Sequence, residues 1–581
     1  MGDVGQVGNL RRVGNPPAGR WLIPPPFEGP LAQRVLAHRG VTGADAIERF
    51  LNPSLEDLHA PLTLKDMPQA VARLRQAISA GEKILIYGDY DVDGTTSVVL
   101  LTKAIELAGG RAGYHVPHRL KDGYGMRPEV VEAAAEAGTR LIVSVDTGIR
   151  AAEVVRHASG LGIDVIVTDH HLPESELPPA LAVINPNRPD CSYPEKNLCG
   201  AGVAFKLAQA LLATLGWPAE KQKRLAESML KLVAIATVAD VVPLTGENRV
   251  MVKRGLAGLD RVRNTGLRAL LDVAGFGDGA APTSRQVAFQ IAPRLNAAGR
   301  MDTARDAVEL FLTNDPARAR ELAEHLNQRN LDRRQVQAEI AEICEAAAVD
   351  DAAAGLVYYN EKWHRGVIGI VAGRLVEKLH RPVFVLGRNE DDGLVQGSGR
   401  SISSFHLLQA LESMPDIFVR FGGHEHAAGV TLEEARVQEF RCRFNDYAAA
   451  HLRPEDLLPQ VEIDATVKLS EITENSVGEL FALAPFGHGN PPPLLAALDV
   501  EVASPPSLLK EKHLRIMVRQ NRRNLVLKAW NFASRAAELS QGSRVDIAFS
   551  LEEDAYAAAQ GRPGWTAMLR DLRPAALAAA E

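Results

Sequence analysis

The chain has 581 residues, of which 46% are hydrophobic and 24% charged, with a formal net charge of −7 at pH 7. That length exceeds one ordinary core, so roughly two to four domains are expected, and the composition excludes a disordered chain. An acidic total does not announce a nucleic-acid binder, but such affinity depends on local basic surfaces, so charge has to be read region by region.

Met1–Pro26 is rich in Gly and Pro, lacks an apolar run and reads as a loose arm, not a signal peptide. With no apolar stretch of about 18 residues anywhere, no membrane span is expected and the protein is placed in the cytoplasm. From Lys83 to Leu244 strands and helices alternate. Ile84–Tyr87, Leu141–Val145 and Ile163–Val167 are short apolar runs, and Thr95–Leu107 is helical and closed by Gly109-Gly110. Leu232–Val238 fits a fourth strand or a buried helix. Apolar strands separated by helices point to a mainly parallel sheet covered on both faces, hence an α/β protein. Cys191, Cys199, Cys344 and Cys442 form no CxxC pair, so neither structural zinc nor a disulfide framework is expected.

Asp315–Ala348 has the pattern of one long solvated helix, with Pro316 at its first position. A second α/β unit follows, with strands at Leu356–Tyr359 and Pro382–Leu386 around a helix at Val367–Leu379. The last region has short β-branched runs at Val461–Val467, Leu498–Val502, Leu514–Val518 and Val545–Phe549, which predicts a small barrel or sandwich. It also holds Lys510, Lys512, Arg515, Arg519, Arg522, Arg523 and Lys528, followed by Trp530 and Phe532. A solvated hairpin would look similar, but cationic strands beside an aromatic also match single-strand binding on an OB-type barrel.

Four polar clusters follow the apolar runs of the first region: Asp89-Tyr90-Asp91-Val92-Asp93-Gly94, Asp146-Thr147-Gly148, Asp169-His170-His171 and Ala239-Asp240. In parallel α/β sheets ligands bind beyond the carboxyl ends of the strands, where all four are expected to lie. Carboxylates so close together need cations, and Asp with His but no thiolate suits Mn²⁺ or Mg²⁺. The first cluster resembles the start of an EF-hand loop, yet Leu100 stands where the bidentate Glu is required and a strand precedes it.

These clusters resemble the four motifs of the DHH phosphoesterase family, and Gly422-Gly423-His424-Glu425-His426-Ala427-Ala428-Gly429 resembles the signature of its DHHA1 domain. The spelling Tyr87-Gly-Asp-Tyr-Asp-x-Asp-Gly is most similar to RecJ-type exonucleases, as are Pro293–Arg300, Trp363–Gly369 and Gly397–Ser401. The resemblance runs from about Lys65 to Arg573 and implies the following organisation: an arm and lead-in (1–60), a DHH domain (61–313), a connecting helix (314–350), a DHHA1 domain (351–455) and an OB-like nucleic-acid-binding domain (456–581). It also implies a 5′ to 3′ exonuclease specific for single-stranded DNA, working in repair and recombination by two-metal hydrolysis and releasing mononucleotides. Asp89, Asp91, Asp93, Asp146, His170 and Asp240 would hold two Mn²⁺ or Mg²⁺ ions about 4 Å apart, with Asp146 between them.

His171, Asp146 and Asp93 are the catalytic candidates, with His171 against the scissile phosphate. Many DHH relatives carry a histidine where this chain has Tyr87, and Asp89 is the expected replacement ligand. Arg294, Asn296, Arg300, His364, Arg400, Ser401, Gly422, Gly423 and His424, together with Lys512, Arg515 and Trp530 of the barrel, are the candidates for gripping DNA. A single-strand-binding protein and a helicase are the partners the resemblance implies. A small-substrate phosphodiesterase for short oligonucleotides or cyclic dinucleotides would share the metal site but would not need the basic barrel. A silent binding module would be expected to lose ligands, and here every cluster is intact.

Overall fold

The computed structural model describes residues 20–119, 122–277, 279, 281–301, 303–347, 353–389 and 392–575. The chain divides into two compact units, one of residues 48–333 with 484–491, the other of the remainder. The first strand, β1 (Arg20–Leu22), belongs to the second of these.

The first unit is built on β2 (Lys83–Tyr87), β3 (Ala112–His115), β4 (Thr139–Val145), β5 (Asp164–Thr168) and β6 (Ala182–Ile184). They form an all-parallel sheet in the order β3-β2-β4-β5-β6. β4 is buried at every position but Arg140, as a strand covered on both faces should be. Helices α1 (Val92–Leu107) and α2 (Gly200–Ala213) share the large core on one face. Helices Pro128–Glu136 and Ala152–Gly160 put Val131, Ala134, Val155 and Ala158 against the other.

The apolar run Leu232–Val238 is not a strand. It forms the buried last turns of α3 (Ala219–Ala239), because the helix-forming stretch before it continues without a turn residue. Consequently the fourth cluster stands at the end of a helix, with Asp240 as its C-cap, and not at the end of a strand. α4 (Gly246–Ala257) packs against α3, and α5 (Ala292–Met301) follows a π-helical turn at Val287–Ile291. α6 (Pro316–Ala346) is the long helix expected over Asp315–Ala348, whose last residue lies outside the described ones.

The second unit holds a mixed sheet of β7 (Leu356–Tyr359), β8 (Val383–Arg388), β9 (Val395–Arg400), β10 (Phe418–Gly423) and β11 (Ala427–Leu432), in the order β10-β11-β9-β8-β7. Only β7 and β8 run parallel, joined by α7 (Arg365–Leu379). Its core centres on Phe384, Phe405, Phe440 and Phe444, whose rings meet mostly edge to face.

After β12 (Gln460–Glu462) and β13 (Ala465–Thr466) come β14 (Leu494–Val502), β15 (Ser507–Leu509), β16 (His513–Gln520), β17 (Arg523–Ala529), β18 (Arg544–Glu553) and β19 (Trp565–Pro574). The ladder β14-β18-β19-β17-β16 closes through β14–β16, with β17 and β19 parallel, which is the five-stranded OB barrel.

The loose arm expected over Met1–Pro26 is corrected at its end. β1 pairs in parallel with β12, and Trp21 is buried with its indole N–H donated to Asp571 at 2.7 Å. A buried indole needs such an acceptor, and finding one ties the segment down. Helix Leu31–His38 continues the attachment through Arg34–Glu471 and, just beyond its end, Arg39–Asp464. Residues 1–19 lie outside the described ones. Cys191, Cys199 and Cys344 are buried free thiols, and Cys442 is exposed.

Candidate metal centre

Three of the four acidic clusters leave the sheet side by side. Asp89 follows β2, Asp146 follows β4 and Asp169 follows β5, on adjacent strands. Asp91 is the N-cap of α1, accepting from Gly94 N at 2.9 Å, so Asp93 falls in the first helical turn. There the Asp93 carboxylate meets the N-terminus of α2, accepting from Gly200 N at 2.5 Å and Ala201 N at 2.7 Å. Two backbone donors and a helix N-terminus fix its position. Gly200 is needed for the same approach, since a Cβ there would stand 2.7 Å from Asp146 Oδ1.

Donor atoms of Asp89, Asp91 and Asp146 lie within 4.8 Å of one another, as do those of Asp93, His170 and Asp240 and those of Asp146, His170 and His171. His170 Nε2 is 3.2 Å from Asp146, 3.7 Å from Asp93 and 3.8 Å from Asp240. Two donors bound to one ion at about 2.1 Å stand about 3–4 Å apart, so this spacing suits a shared cation better than direct hydrogen bonds. Asp89 Oδ1 and Asp146 Oδ1 are buried without a hydrogen-bond partner, and such acceptors are costly to bury unless something positive meets them. Asp146 also holds φ 58°, a strained setting for a non-glycine residue. Burial and then the neighbouring carboxylates push Asp146 far above the usual carboxylate range. Burial and Asp91 do the same to Asp89, burial raises Asp93, and burial followed by Asp93 and Asp91 lifts Asp240 to about 9. Burial lowers the His170 imidazole, leaving it neutral and fit to ligate. The residues therefore fit two hard divalent ions, with Asp146 reaching both groups.

Asp169 belongs to none of these ligand groups. It accepts from the His170 and His171 amides, from Ile149 N at 3.0 Å and from His171 Nδ1 at 2.7 Å. Burial works to raise Asp169, but these bonds outweigh it and hold the carboxyl below its ordinary value. It is thus ionised and can only accept, so His171 Nδ1 carries the proton and Nε2 is the ring's other functional end. Burial alone would lower His171, yet the Asp169 bond and charge raise it. Asn185 and Asn187, after β6, donate to the His171 and His170 carbonyls and brace the pair. Sequence reasoning missed this bracing layer, together with Tyr124, whose hydroxyl is 3.2 Å from His171 Nδ1, and Arg119, which lies over the Tyr90 ring at 4.5 Å. Only the spacing of Asp169 from the two histidines hinted at it.

Tyr87 is not a ligand. It is fully buried, and its hydroxyl donates to Gly125 O and accepts from Arg127 N, bracing the segment that carries Tyr124. Asn296 lies beside the first cluster, but its Oδ1 accepts from Val92 N at 3.1 Å, capping α1. Arg294 is bonded to Asn327 and Gln290 on its own side of the fold. Arg300, on the same helix α5, lies close enough to Tyr90 to act on its hydroxyl electrostatically.

In the second unit, Arg400 ends β9 opposite Ala427, and Ser401 N–H donates to His426 O, so both stand beside the Gly422–His424 hairpin. Arg400 also lies by α7, where a Cβ on Gly369 would be 3.6 Å from Nη2. His364 is the N-cap of α7, its Nδ1 accepting from Gly366 N. Several glycines around this hairpin are also needed for packing. A Cβ on Gly397 or Gly399 would strike Leu386 or Phe384, and one on Gly423 would strike Ala427 and Ala428, whereas Gly422 faces open space. On the barrel, Lys512 and Arg515 are exposed, Arg515 beside Lys528, and Trp530 is 48% exposed with its ring against His513.

Residues 83–237 match the DHH family, N-terminal domain, residues 352–450 the DHHA1 domain and residues 463–562 the RecJ OB domain. The chain is 42% identical over 506 residues to the single-stranded-DNA-specific exonuclease RecJ of Dickeya dadantii, covering 84% of this chain and 86% of that one. It is 38% identical over 523 residues to the protein of the same description from Bacillus subtilis, covering 89% of this chain and 65% of that protein's length. Its fold is similar to the crystal structure of RecJ in complex with Mn²⁺ from Thermus thermophilus, with a TM-score of 0.78 at 32% identity over 96% of this chain and 80% of the other. Among the described residues no helix is long and apolar enough to cross a membrane.

Proposed function

The chain belongs to the RecJ family, and on that premise we propose that it is a metal-dependent exonuclease specific for single-stranded DNA. The observation that carries this reading is the pair of ligand groups, one containing Asp146 and the other reaching it through His170 Nε2 at 3.2 Å, with two buried carboxylate oxygens that have no partner of their own. Two Mn²⁺ or Mg²⁺ ions bound there would polarise the scissile phosphate and make an attacking water acidic enough to serve near neutral pH. The chain's own residues do the rest. Asp93, fixed by the α2 N-terminus, and Asp240 set the geometry of one position, while Asp89 and Asp91 set the other. His171, oriented by Asp169, presents Nε2–H to a phosphate oxygen and offsets charge that grows in the transition state.

Arg400, with Ser401, His364 and the Gly422–His424 hairpin, gives this end of the second sheet a fixed cation and hydrogen-bond donors suited to a terminal phosphate. Lys512, Arg515 and the exposed Trp530 offer charge and a stacking face to further nucleotides. Polarity is proposed as 5′ to 3′ with mononucleotide products, in DNA repair and recombination in the cytoplasm, with a single-strand-binding protein and a helicase as partners, all on the strength of the family.

The test uses two single-stranded oligonucleotides, one labelled at each end, with Mn²⁺. Immediate release of labelled mononucleotide from the 5′-labelled strand and a shrinking ladder from the 3′-labelled strand are expected. If both strands survive while dinucleotides or cyclic dinucleotides are cleaved, the reading fails in favour of a small-substrate phosphodiesterase.

A further inference from the structure

The turn that carries Asp240 is under strain just behind the ligand. Val241 has φ 59°, which a β-branched residue adopts only when its surroundings force it. Its side chain is 64% exposed, so burial of the valine does not hold it there. The constraint arises from the neighbours of the turn. Leu244 N–H donates to His488 O at 2.7 Å, and Asn248 Nδ2 donates to Pro243 O at 3.1 Å. His488 lies in the short segment 484–491, which belongs to the same compact unit as Asp240 although the chain on either side of it does not.

That segment is folded on itself and pinned. Gly487 and Asn490 exchange backbone hydrogen bonds at 2.9 and 3.1 Å, and Asn490 Nδ2 donates to Pro485 O at 2.8 Å. Arg249 of α4, itself buried, donates to Ala484 O at 3.0 Å, and Ser284 Oγ donates to Phe486 O at 2.6 Å. Gly489 holds φ +72°, and a Cβ there would stand 2.9 Å from Pro243 Cβ and 3.2 Å from Pro243 Cα. The backbone of the segment therefore lies directly on the turn with no room for a side chain.

We propose that residues 484–491 are a positioning clamp for the metal centre: seated on Pro243 and Leu244, they hold the turn in the strained form that keeps Asp240 beside Asp93 and His170. The clamp touches neither substrate nor ion and acts only through Asp240. It rests on the reading of Asp240 as a metal ligand. A merely structural segment would contribute to stability without changing metal affinity, whereas a clamp changes the affinity of a folded protein. Because the strain sits on Val241, a glycine there makes the same turn accessible without force and lessens the need for the clamp.

The test titrates the metal-free full chain with Mn²⁺, following free Mn²⁺ by electron paramagnetic resonance, with circular dichroism as the check on folding. Gly489→Ala is expected to weaken Mn²⁺ binding tenfold or more while remaining folded. Gly489→Ala combined with Val241→Gly is expected to recover most of that loss, and Gly478→Ala, in open space on helix Glu474–Phe481, to bind as the wild type does. Wild-type affinity in Gly489→Ala, or a double variant no tighter than the single one, overturns the clamp. If Gly489→Ala does not fold, Asn490→Ala opens the segment without adding bulk, and the same loss or retention of Mn²⁺ affinity decides. Asp240→Ala separates the two levels. Wild-type Mn²⁺ binding there removes the reading of Asp240 as a ligand and the clamp with it, whereas loss there with none in Gly489→Ala removes only the clamp.

Discussion

Two five-stranded sheets in this chain use opposite means to handle charge. The all-parallel sheet β3-β2-β4-β5-β6 releases Asp89 and Asp146 past the ends of its strands, where they are buried, crowded and raised above their ordinary carboxylate range. The mixed sheet β10-β11-β9-β8-β7 carries its cationic residues at the end of β9 and beside a hairpin, within reach of solvent. Parallel strands all point their carboxyl ends one way, so ligands from distant parts of the sequence converge there. An antiparallel hairpin brings together only residues near its own turn. The first arrangement concentrates charge until cations are required, and the second offers a surface that a phosphate can visit.

The contrast predicts a ranking of effects. Asp146→Ala, which removes the carboxylate that stands between the two ligand groups, should cost at least ~10³-fold in kcat on single-stranded DNA with the fold intact by circular dichroism. Asp169→Asn should cost about 10–100-fold, since it spoils the orientation of His171 without removing a ligand. Its companion reading is Mn²⁺ affinity, which should stay within a few fold of the wild type. Arg400→Ala, in the second sheet, should act mainly on KM, by about tenfold, with kcat nearly kept. An effect on kcat as large as that of Asp146→Ala would erase the distinction between the sheets. Trp530→Ala should weaken binding of long single strands by about 1–3 kcal/mol and leave turnover of short oligonucleotides unchanged.

A smaller effect concerns pH. Carboxyls in an unfolded chain titrate near 4, while the folded centre holds Asp240 at about 9 and raises Asp89, Asp93 and Asp146. A raised folded value stabilises fully below the unfolded value, and that stabilisation is lost as pH climbs toward the folded one. The metal-free protein should therefore melt at lower temperature as pH goes from 6 to 9. The gain in Tm on adding Mn²⁺ should grow over the same range, because ions replace protons at these carboxylates. A Mn²⁺ gain that shrinks with pH would show that these groups are not where the ions bind.

Much of the metal centre was legible because its members sit next to short apolar runs, and a strand end is a place that sequence can mark. Asp89, Asp146 and His170 owe their recognition to that. Asp240 was marked as a candidate for the wrong geometric reason: a seven-residue run of six apolar side chains and Thr237 cannot distinguish a strand from the buried end of α3, and only the uninterrupted helix before it decides. The packing of the β9 glycines against Phe384 and Leu386 leaves no local trace in the sequence. Trp21 and the segment 484–491 were missed for a related cause. Each is held by residues hundreds of positions away, Asp571 in one case and Leu244 in the other, and no short-range pattern reports such a contact.

The most direct test of the central claim is a count of bound Mn²⁺ in the wild type and in Asp146→Ala at pH 8, paired with hydrolysis of 5′-labelled single-stranded DNA. Two ions in the wild type, at most one in the variant and no hydrolysis by the variant are the expected results. A folded Asp146→Ala protein that still holds two ions and digests the strand at the wild-type rate would contradict the two-ion centre built on Asp146.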